Sequence, residues 1–294
     1  MNDRVSGFPE GVLAELLSKD AGYFLTGGRL LEAGRSRWQS YEVWETPRFG
    51  RLYRLDGCFM ASEGDEFLCH ENLIHVPGIA HAGLRRALII GGGDGGSAEE
   101  LLKYPTIELI VIAELDAKVI ELSRRYLAGV HHGALDDPRV DIHIGDGLAY
   151  VGEHGPAAGA RFDLIVFDLT DPAGPAAALH TQAFFAACKA LLTEGGAIVL
   201  QLGSPFFQPE RVRELVSRLR QEYACVRPYF VHVPLYGGLW GMACASDALD
   251  PQALTADAVD HRLAERGIER LQHFNGAVHC AQFALPNHLR ALLA

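Results

Sequence analysis

Carboxylates recur directly after short apolar runs in the later part of the chain. Asp94 lies within Gly91-Gly92-Gly93-Asp94-Gly95-Gly96, and Glu114 and Asp116 follow Leu109 to Ala113. Asp146 is flanked by Gly145 and Gly147, and Asp168-Leu169-Thr170-Asp171-Pro172 follows Leu164 to Phe167. Helix N-caps favoured by the helix dipole explain part of such a pattern, but four successive runs ending in acids point to a ligand-binding edge. The loop Gly91-x-Gly93-x-x-Gly96 formally matches the dinucleotide fingerprint, with Glu114 at the distance of a ribose-binding acid. Against a dinucleotide, Asp94 stands where a pyrophosphate would lie and would repel it. A neutral or cationic nucleoside fits better, and S-adenosyl compounds carry a sulfonium. Glu114 can then accept from the ribose diol, and Asp146 from the adenine amino group. Asp168 and Asp171 flank a turn closed by Pro172. An isolated Asp-x-x-Asp is usually a capping or turn motif. At a ligand edge the pair suits an amine, one carboxylate holding the cation and the other taking a proton. An amine with the basicity of lysine is no nucleophile until that proton leaves.

These residues need a frame that brings the ends of several strands together. Ala87 to Ile90, Leu109 to Ala113, Val140 to Ile144, Leu164 to Phe167 and Ala197 to Leu200 read as buried strands. Helical patterns between them (Ser97 to Leu102, Ala117 to Tyr126) predict an α/β, Rossmann-like doubly wound parallel sheet. In such sheets ligands bind beyond the carboxyl ends of the strands. Before Arg86 the texture differs. Tyr41 to Glu45 and Arg51 to Leu55, separated by Pro47-Arg48-Phe49-Gly50, predict antiparallel strands, with a short helical pattern at Val12 to Leu17 and a helix at Glu66 to His75. The expected division is residues 1–80, β-rich, and 81–294, the nucleotide-binding-type domain.

The chain has 294 residues, 49% hydrophobic and 21% charged, which suits a packed protein rather than a disordered one. A net charge of −11 counts against nucleic acid or an anionic membrane as partner. The beginning of the chain lacks the apolar core of a signal peptide, and no apolar stretch is long enough to span a bilayer. With six scattered cysteines that read as free thiols, the expected compartment is the cytoplasm. The 13 histidines show no metal-ligand spacing, so no metal is expected. His131-His132 is expected in a loop before Asp136. Arg211, Arg213, Arg218 and Arg220 read as the exposed face of an amphipathic helix. Trp38 and Trp240 could line a pocket or pack, and Trp44 is expected to pack.

Taken together, the motifs resemble the polyamine aminopropyltransferases, the spermidine synthases. Phe49-Gly50-Arg51, Leu55-Asp56-Gly57, Asp65-Glu66-Phe67 and His70-Glu71 are similar to that family's N-terminal signature. The glycine loop, Asp168-x-x-Asp171-Pro172-x-Gly174-Pro175, and Phe274-Asn275, His279 and Phe283-Ala284-Leu285-Pro286 resemble its remaining signatures. The resemblance implies the methyltransferase-type sheet and transfer of the aminopropyl group of decarboxylated S-adenosylmethionine to an amine, releasing methylthioadenosine. Carried over by position, Gln39, Glu114, Asp146, Gly147 and Pro175 would contact the nucleoside, and Asp94 the aminopropyl ammonium. Asp168 would be the general base, with Asp171 and Tyr236 positioning the amine and His70 near the junction. The resemblance implies a co-substrate rather than a resident cofactor, and a homodimer or homotetramer. A methyltransferase and a non-catalytic polyamine-binding protein are the competing readings; Asp94 would oppose the carboxylate of intact S-adenosylmethionine.

Several positions depart from the family pattern. Cys69 stands where Tyr is common, Met60 replaces a usual Gln, and Leu169-Thr170 replaces Ser-Ser, as in the thermospermine synthase branch. The exchanges at 69 and 60 predict a wider, less polar amine channel and tolerance of acceptors longer than putrescine. The segment Pro172 to Thr181, rich in Gly, Pro and Ala, is expected to act as a lid.

Overall fold

Apolar residues on both faces of the central strands force them into the middle of a three-layer arrangement. In the computed structural model, which describes residues 11–153, 161–169 and 174–294, Ala87 and Ile89 of one strand enter the core on one side of the sheet. The alternate residues Leu88 and Ile90 enter the core on the other side.

The chain opens with a hairpin of β1 (Leu13–Leu16) and β2 (Gly22–Leu25). The helical pattern expected at Val12 to Leu17 is therefore corrected to a strand. Leu13 is buried while Leu16 is exposed, and the backbone of this stretch pairs antiparallel with Gly22 to Leu25. Next come β3 (Arg29–Arg35), β4 (Ser40–Thr46), β5 (Gly50–Leu55) and β6 (Cys58–Ser62), a four-stranded antiparallel meander. Helix α1 (Glu66–Ala80) is longer than its sequence pattern suggested and buried on nearly every side. Its Cys69, Leu73, Ile74 and Val76 share a core with the strands of the large sheet.

The large sheet starts at β7 (Arg86–Gly91), followed by α2 (Gly96–Leu102), β8 (Leu109–Glu114) and α3 (Ala117–Tyr126). Then follow α4 (Ala128–His131), β9 (Val140–Ile144), α5 (Gly147–Glu153), β10 (Phe162–Asp168), α6 (Gln182–Ala190) and β11 (Leu192–Gly203). Helix α7 (Pro209–Glu222) leads to β12 (Cys225–Val233) and β13 (Gly238–Ser246), and α8 (Ala256–Glu265), α9 (Gly276–Gln282) and α10 (Asn287–Leu293) complete the chain. The strand order is β12-β13-β11-β10-β7-β8-β9. Strands β7 to β11 run parallel, and β13 pairs antiparallel with both β11 and β12. The order reverses between β7 and β10, which opens a crevice at their carboxyl ends.

His131 closes α4 rather than lying in a loop, and His132 follows at φ 44°; the turn is held by the Gly133 N–H donating to His131 Nδ1. Trp44 packs beside Leu13 and Phe49, as expected. All six cysteines are free. Among the described residues no helix is long and apolar enough to cross a membrane.

Candidate active site

The crevice is a cavity of about 320 Å³, closed on one side by the antiparallel meander and on the other by the strand ends of the large sheet. Of the expected site residues, Gln39, His70, Asp94, Glu114, Asp146, Gly147, Asp168 and Tyr236 all line it. Asp171 lies outside the described residues. Pro175 belongs to a 3-10 segment, Gly174–His180, and nothing of its side chain is described. The described part of the expected lid is anchored, since Ala176 and Leu179 are buried and both line the cavity.

On the side expected to take the nucleoside, Glu114 ends β8 and its Oε1 accepts the N–H of Asp116 at 2.8 Å. Burial lifts Glu114 to about 7, against the hydrogen bonds from the Asp116 and Gly93 N–H groups and with help from the charges of Asp116 and Asp94. Asp146 precedes α5, where its Oδ1 accepts the Leu148 N–H at 2.8 Å. Gln39 comes from the loop between β3 and β4 and donates its Nε2 to Asp116 Oδ2 at 3.1 Å.

The glycine loop brings the acidic centre together. Gly91 has φ +81°, and a Cβ there would strike the Asp168 backbone, so the loop can fold tightly against the end of β10. Gly96 leaves room for the His70 ring, which a Cβ would overlap. Asp94 is fixed by the Gly96 N–H (2.9 Å, Oδ1) and the Tyr53 hydroxyl (3.1 Å, Oδ2). His70 Nε2 lies 3.7 Å from Asp94 Oδ1 and 3.8 Å from Asp168 Oδ2, while its Nδ1 is 2.6 Å from Glu66 Oε2. Burial disfavours the charged imidazole, but Asp94, Glu66 and Asp168 outweigh it and hold His70 at about 10. Asp168 Oδ2 accepts from Ser97 Oγ at 2.7 Å and Oδ1 from Gln201 Nε2 at 3.1 Å. Burial and the neighbouring Asp94 raise the Asp168 carboxyl, against His70, Ser97 and Gln201.

His70, Asp94 and Asp168 each bring one ligand-capable atom within 4.8 Å of the others, and among the described residues this is the one such group with metal-like spacing. His70 Nδ1 faces Glu66, which leaves Nε2 between the two aspartates.

Beyond this centre the cavity is walled by Met60, Leu169, Gln201, Tyr236 and Trp240. Tyr236 donates its hydroxyl to the Met60 carbonyl at 2.7 Å and its ring lies 4.7 Å from that of Trp240, whose Nε1 donates to Gln201 Oε1 at 2.9 Å. Cys69 is buried in the core and is absent from the cavity wall. Its thiol lies beneath Tyr236, and burial raises it well above the usual thiol range. Cys69 meets the wall through Tyr236, which itself lines the cavity.

Tyr53, Glu66, Ser97 and Gln201 were not singled out as site residues from sequence, whereas Trp38 and Trp240, left between lining a pocket and packing, both line the cavity. Gln201 ends an apolar run, Ala197 to Leu200, so the rule that found the other strand-end residues could have found it too. Tyr53 and Glu66 carried no such signal, because only the packing of the meander and α1 turns them inward.

The family model described as "Spermine/spermidine synthase domain" matches residues 66–254. A polyamine aminopropyltransferase of Nitrosomonas europaea is 45% identical over 289 residues, 98% of this chain and 88% of the relative. Polyamine aminopropyltransferase 1 of Pseudomonas aeruginosa is 37% identical, covering 94% of this chain and 95% of the relative. A crystal structure of spermidine synthase in complex with the transition state analogue AdoDATO superimposes with a TM-score of 0.90 at 33% identity, over 97% of this chain and 96% of that one. The spermidine synthase of Thermotoga maritima gives 0.87 at 34% identity, over 96% and 94%. Matched in sequence and in fold along nearly its whole length, the chain belongs to the spermine/spermidine synthase family and is a polyamine aminopropyltransferase.

Proposed function

We propose that this enzyme moves the aminopropyl group of decarboxylated S-adenosylmethionine to a polyamine acceptor within the cavity, with the residue roles given below. One observation carries the reading. Among the described residues the cavity wall holds six acids (Glu15, Asp56, Asp94, Glu114, Asp146 and Asp168) but no Lys or Arg. Such a wall demands cationic ligands, and this reaction brings a sulfonium, an aminopropyl ammonium and a polyamine.

Glu114 and Gln39 take the ribose, and Asp146, Gly147 and Pro175 the adenine side. Asp94 takes the donor's ammonium. Intact S-adenosylmethionine would bring a carboxylate to the same place, which disfavours methyl transfer. Asp168 removes a proton from the acceptor amine, and its raised pKa improves its hold on that proton. The freed lone pair forms a bond to the propyl carbon beside sulfur. The C–S bond breaks with its electron pair on sulfur, and neutral methylthioadenosine leaves. His70 offsets the repulsion between Asp94 and Asp168, while Asp171 and Tyr236 orient the amine. Most of the rate advantage comes from alignment of the two substrates and from amine deprotonation. The reaction so written uses no metal.

Supporting the acceptor assignment, Met60 and Leu169 give the amine side an apolar wall suited to the methylene chain of putrescine or a longer amine. We place the enzyme in the cytoplasm as a homodimer or homotetramer, without nucleic acid or membrane partners. A panel of amines with decarboxylated S-adenosylmethionine, followed by mass spectrometry, tests the reading. Methylthioadenosine formed in step with an aminopropylated amine is expected. Amine binding with no turnover on any acceptor would leave only the polyamine-binding alternative.

A further inference from the structure

Asp116 lies next to the nucleoside half yet has no assigned role beyond starting α3. It is almost wholly buried, and it touches both ribose-facing groups. Its backbone N–H donates to Glu114 Oε1 at 2.8 Å and so helps fix the carboxylate that lines the cavity. Its Oδ2 accepts from Gln39 Nε2 at 3.1 Å and from Ser36 Oγ at 2.6 Å, and Oδ1 accepts the Lys118 N–H at 3.0 Å, capping α3. A carboxylate only accepts hydrogen bonds, so the nitrogen of the Gln39 amide must face Asp116. The same logic orients Ser36, whose hydroxyl gives its proton to Asp116 while accepting the N–H groups of Trp38 (3.0 Å) and Gln39 (3.2 Å). The Ser36 to Gln39 turn of the meander is thereby strapped to the end of β8, 80 residues away in sequence.

We propose that Asp116 is a positioning residue that makes Gln39 present its carbonyl oxygen, so that the donor's ribose hydroxyls meet two acceptors, Glu114 and Gln39. Donor recognition then requires ribose hydroxyls that can donate. This rests on the assignment of Gln39 and Glu114 to the ribose, and it adds a residue that enforces the polarity of that contact and ties the meander to it.

The test must separate the strap from the helix cap. Asp116→Ser keeps a capping side chain for α3 but is too short to serve Lys118, Ser36 and Gln39 together. Its affinity for methylthioadenosine, measured by calorimetry, is expected to fall about three- to tenfold, the range of one lost hydrogen bond. Gln39→Ala should cost about the same, and the double variant little more than either single one, since Gln39 no longer presents its oxygen once Asp116 is gone. With 2′-deoxy and 3′-deoxy methylthioadenosine, at least one analogue should bind the Asp116→Ser variant and the parent almost equally. Asp116→Asn keeps the α3 cap with its single oxygen but turns its amide nitrogen toward Gln39, so it should lose affinity much as Asp116→Ser does. The loss should appear in the KM for the donor and not in that for the amine. Additive effects of Asp116→Ser and Gln39→Ala, or unchanged affinity in Asp116→Ser, would overturn the proposal while leaving the ribose assignment standing. If Gln39→Ala itself leaves affinity untouched, the ribose assignment of Gln39 falls, and the proposal with it.

Discussion

In the nucleoside half of the cavity, Glu114 closes β8 and Asp146 and Gly147 open α5, so each group is fixed by the backbone of a regular element. In the amine half, Met60, His70, Gln201, Tyr236 and Trp240 arrive from β6, α1, β11, the turn before β13 and β13 itself. They are held by side chains: Trp240 on Gln201, Gln201 on Asp168, Tyr236 on the Met60 carbonyl. On the proposed roles, the contrast teaches that donor recognition rests mostly on backbone-fixed strand ends, with Gln39 the exception held by side chains. Acceptor choice rests on contacts that can drift one residue at a time.

The sharpest way to break that contrast is at Asp168, where the halves meet. Asp168→Asn keeps the shape and the hydrogen bond from Ser97 but removes the base, and kcat should fall about 10²–10⁴-fold with donor affinity largely retained. Full activity of this variant at neutral pH would remove Asp168 from the role. Next in size is Glu114→Gln, which should weaken methylthioadenosine by about 10-fold or more, in keeping with loss of a charged acceptor, while amine KM stays within twofold or so of the parent. An equal loss in both halves would erase the division.

A pH series tests the same site without mutation. Glu114 sits at about 7 because burial disfavours its charge, and in its proposed role the ionised form binds the ribose. Methylthioadenosine affinity should therefore rise as pH increases toward about 7 and level off above it, with a proton released on binding below that point. The sign for stability is opposite: a carboxyl whose folded pKa lies above its unfolded value stabilises the fold at low pH, and that contribution is lost as pH rises through about 7. Affinity that is flat from pH 5 to 9 would count against ionised Glu114 as the ribose acceptor.

The smallest effect is expected on the amine side. Met60→Gln places a polar group on the cavity wall and should shift kcat/KM from spermidine toward putrescine by several-fold, short of the roughly 10–200-fold that one pocket contact can supply. Cys69→Tyr, since residue 69 is buried beneath Tyr236, should act mainly through displacement of that ring or loss of stability. A selectivity change from Cys69→Tyr at unaltered Tm, with none from Met60→Gln, would reverse this assignment.

The legible part of the molecule follows the same division. Five strands, their glycine loop and the acids Asp94, Glu114, Asp146 and Asp168 could be read because apolar runs and strand ends are local signals, although β9, expected to be buried, is the half-exposed edge of the sheet. The hairpin at Leu13 to Leu16 could not, since Val12 to Leu17 reads as a helix until its partner strand is known. Strands β12 and β13 share one ladder from Cys225–Ser246 to Val233–Gly238, and that antiparallel edge was not anticipated. Cys69 was read from a family position, as the absence of a tyrosine ring, and no local pattern shows where its own side chain packs. On α1 adjacent residues point about 100° apart, and Cys69 turns into the core. The strap from Ser36 and Gln39 to Asp116 spans two sheets, and no local pattern announces it.

The most direct test of the central claim, that an acidic cavity selects a donor lacking its carboxylate, is calorimetry of the two donors side by side. Decarboxylated S-adenosylmethionine should bind at least tenfold more tightly than S-adenosylmethionine, and Asp94→Asn should narrow that gap by weakening the first and relieving the second. Equal binding of both donors to the parent enzyme, or a gap unchanged in Asp94→Asn, would contradict the account.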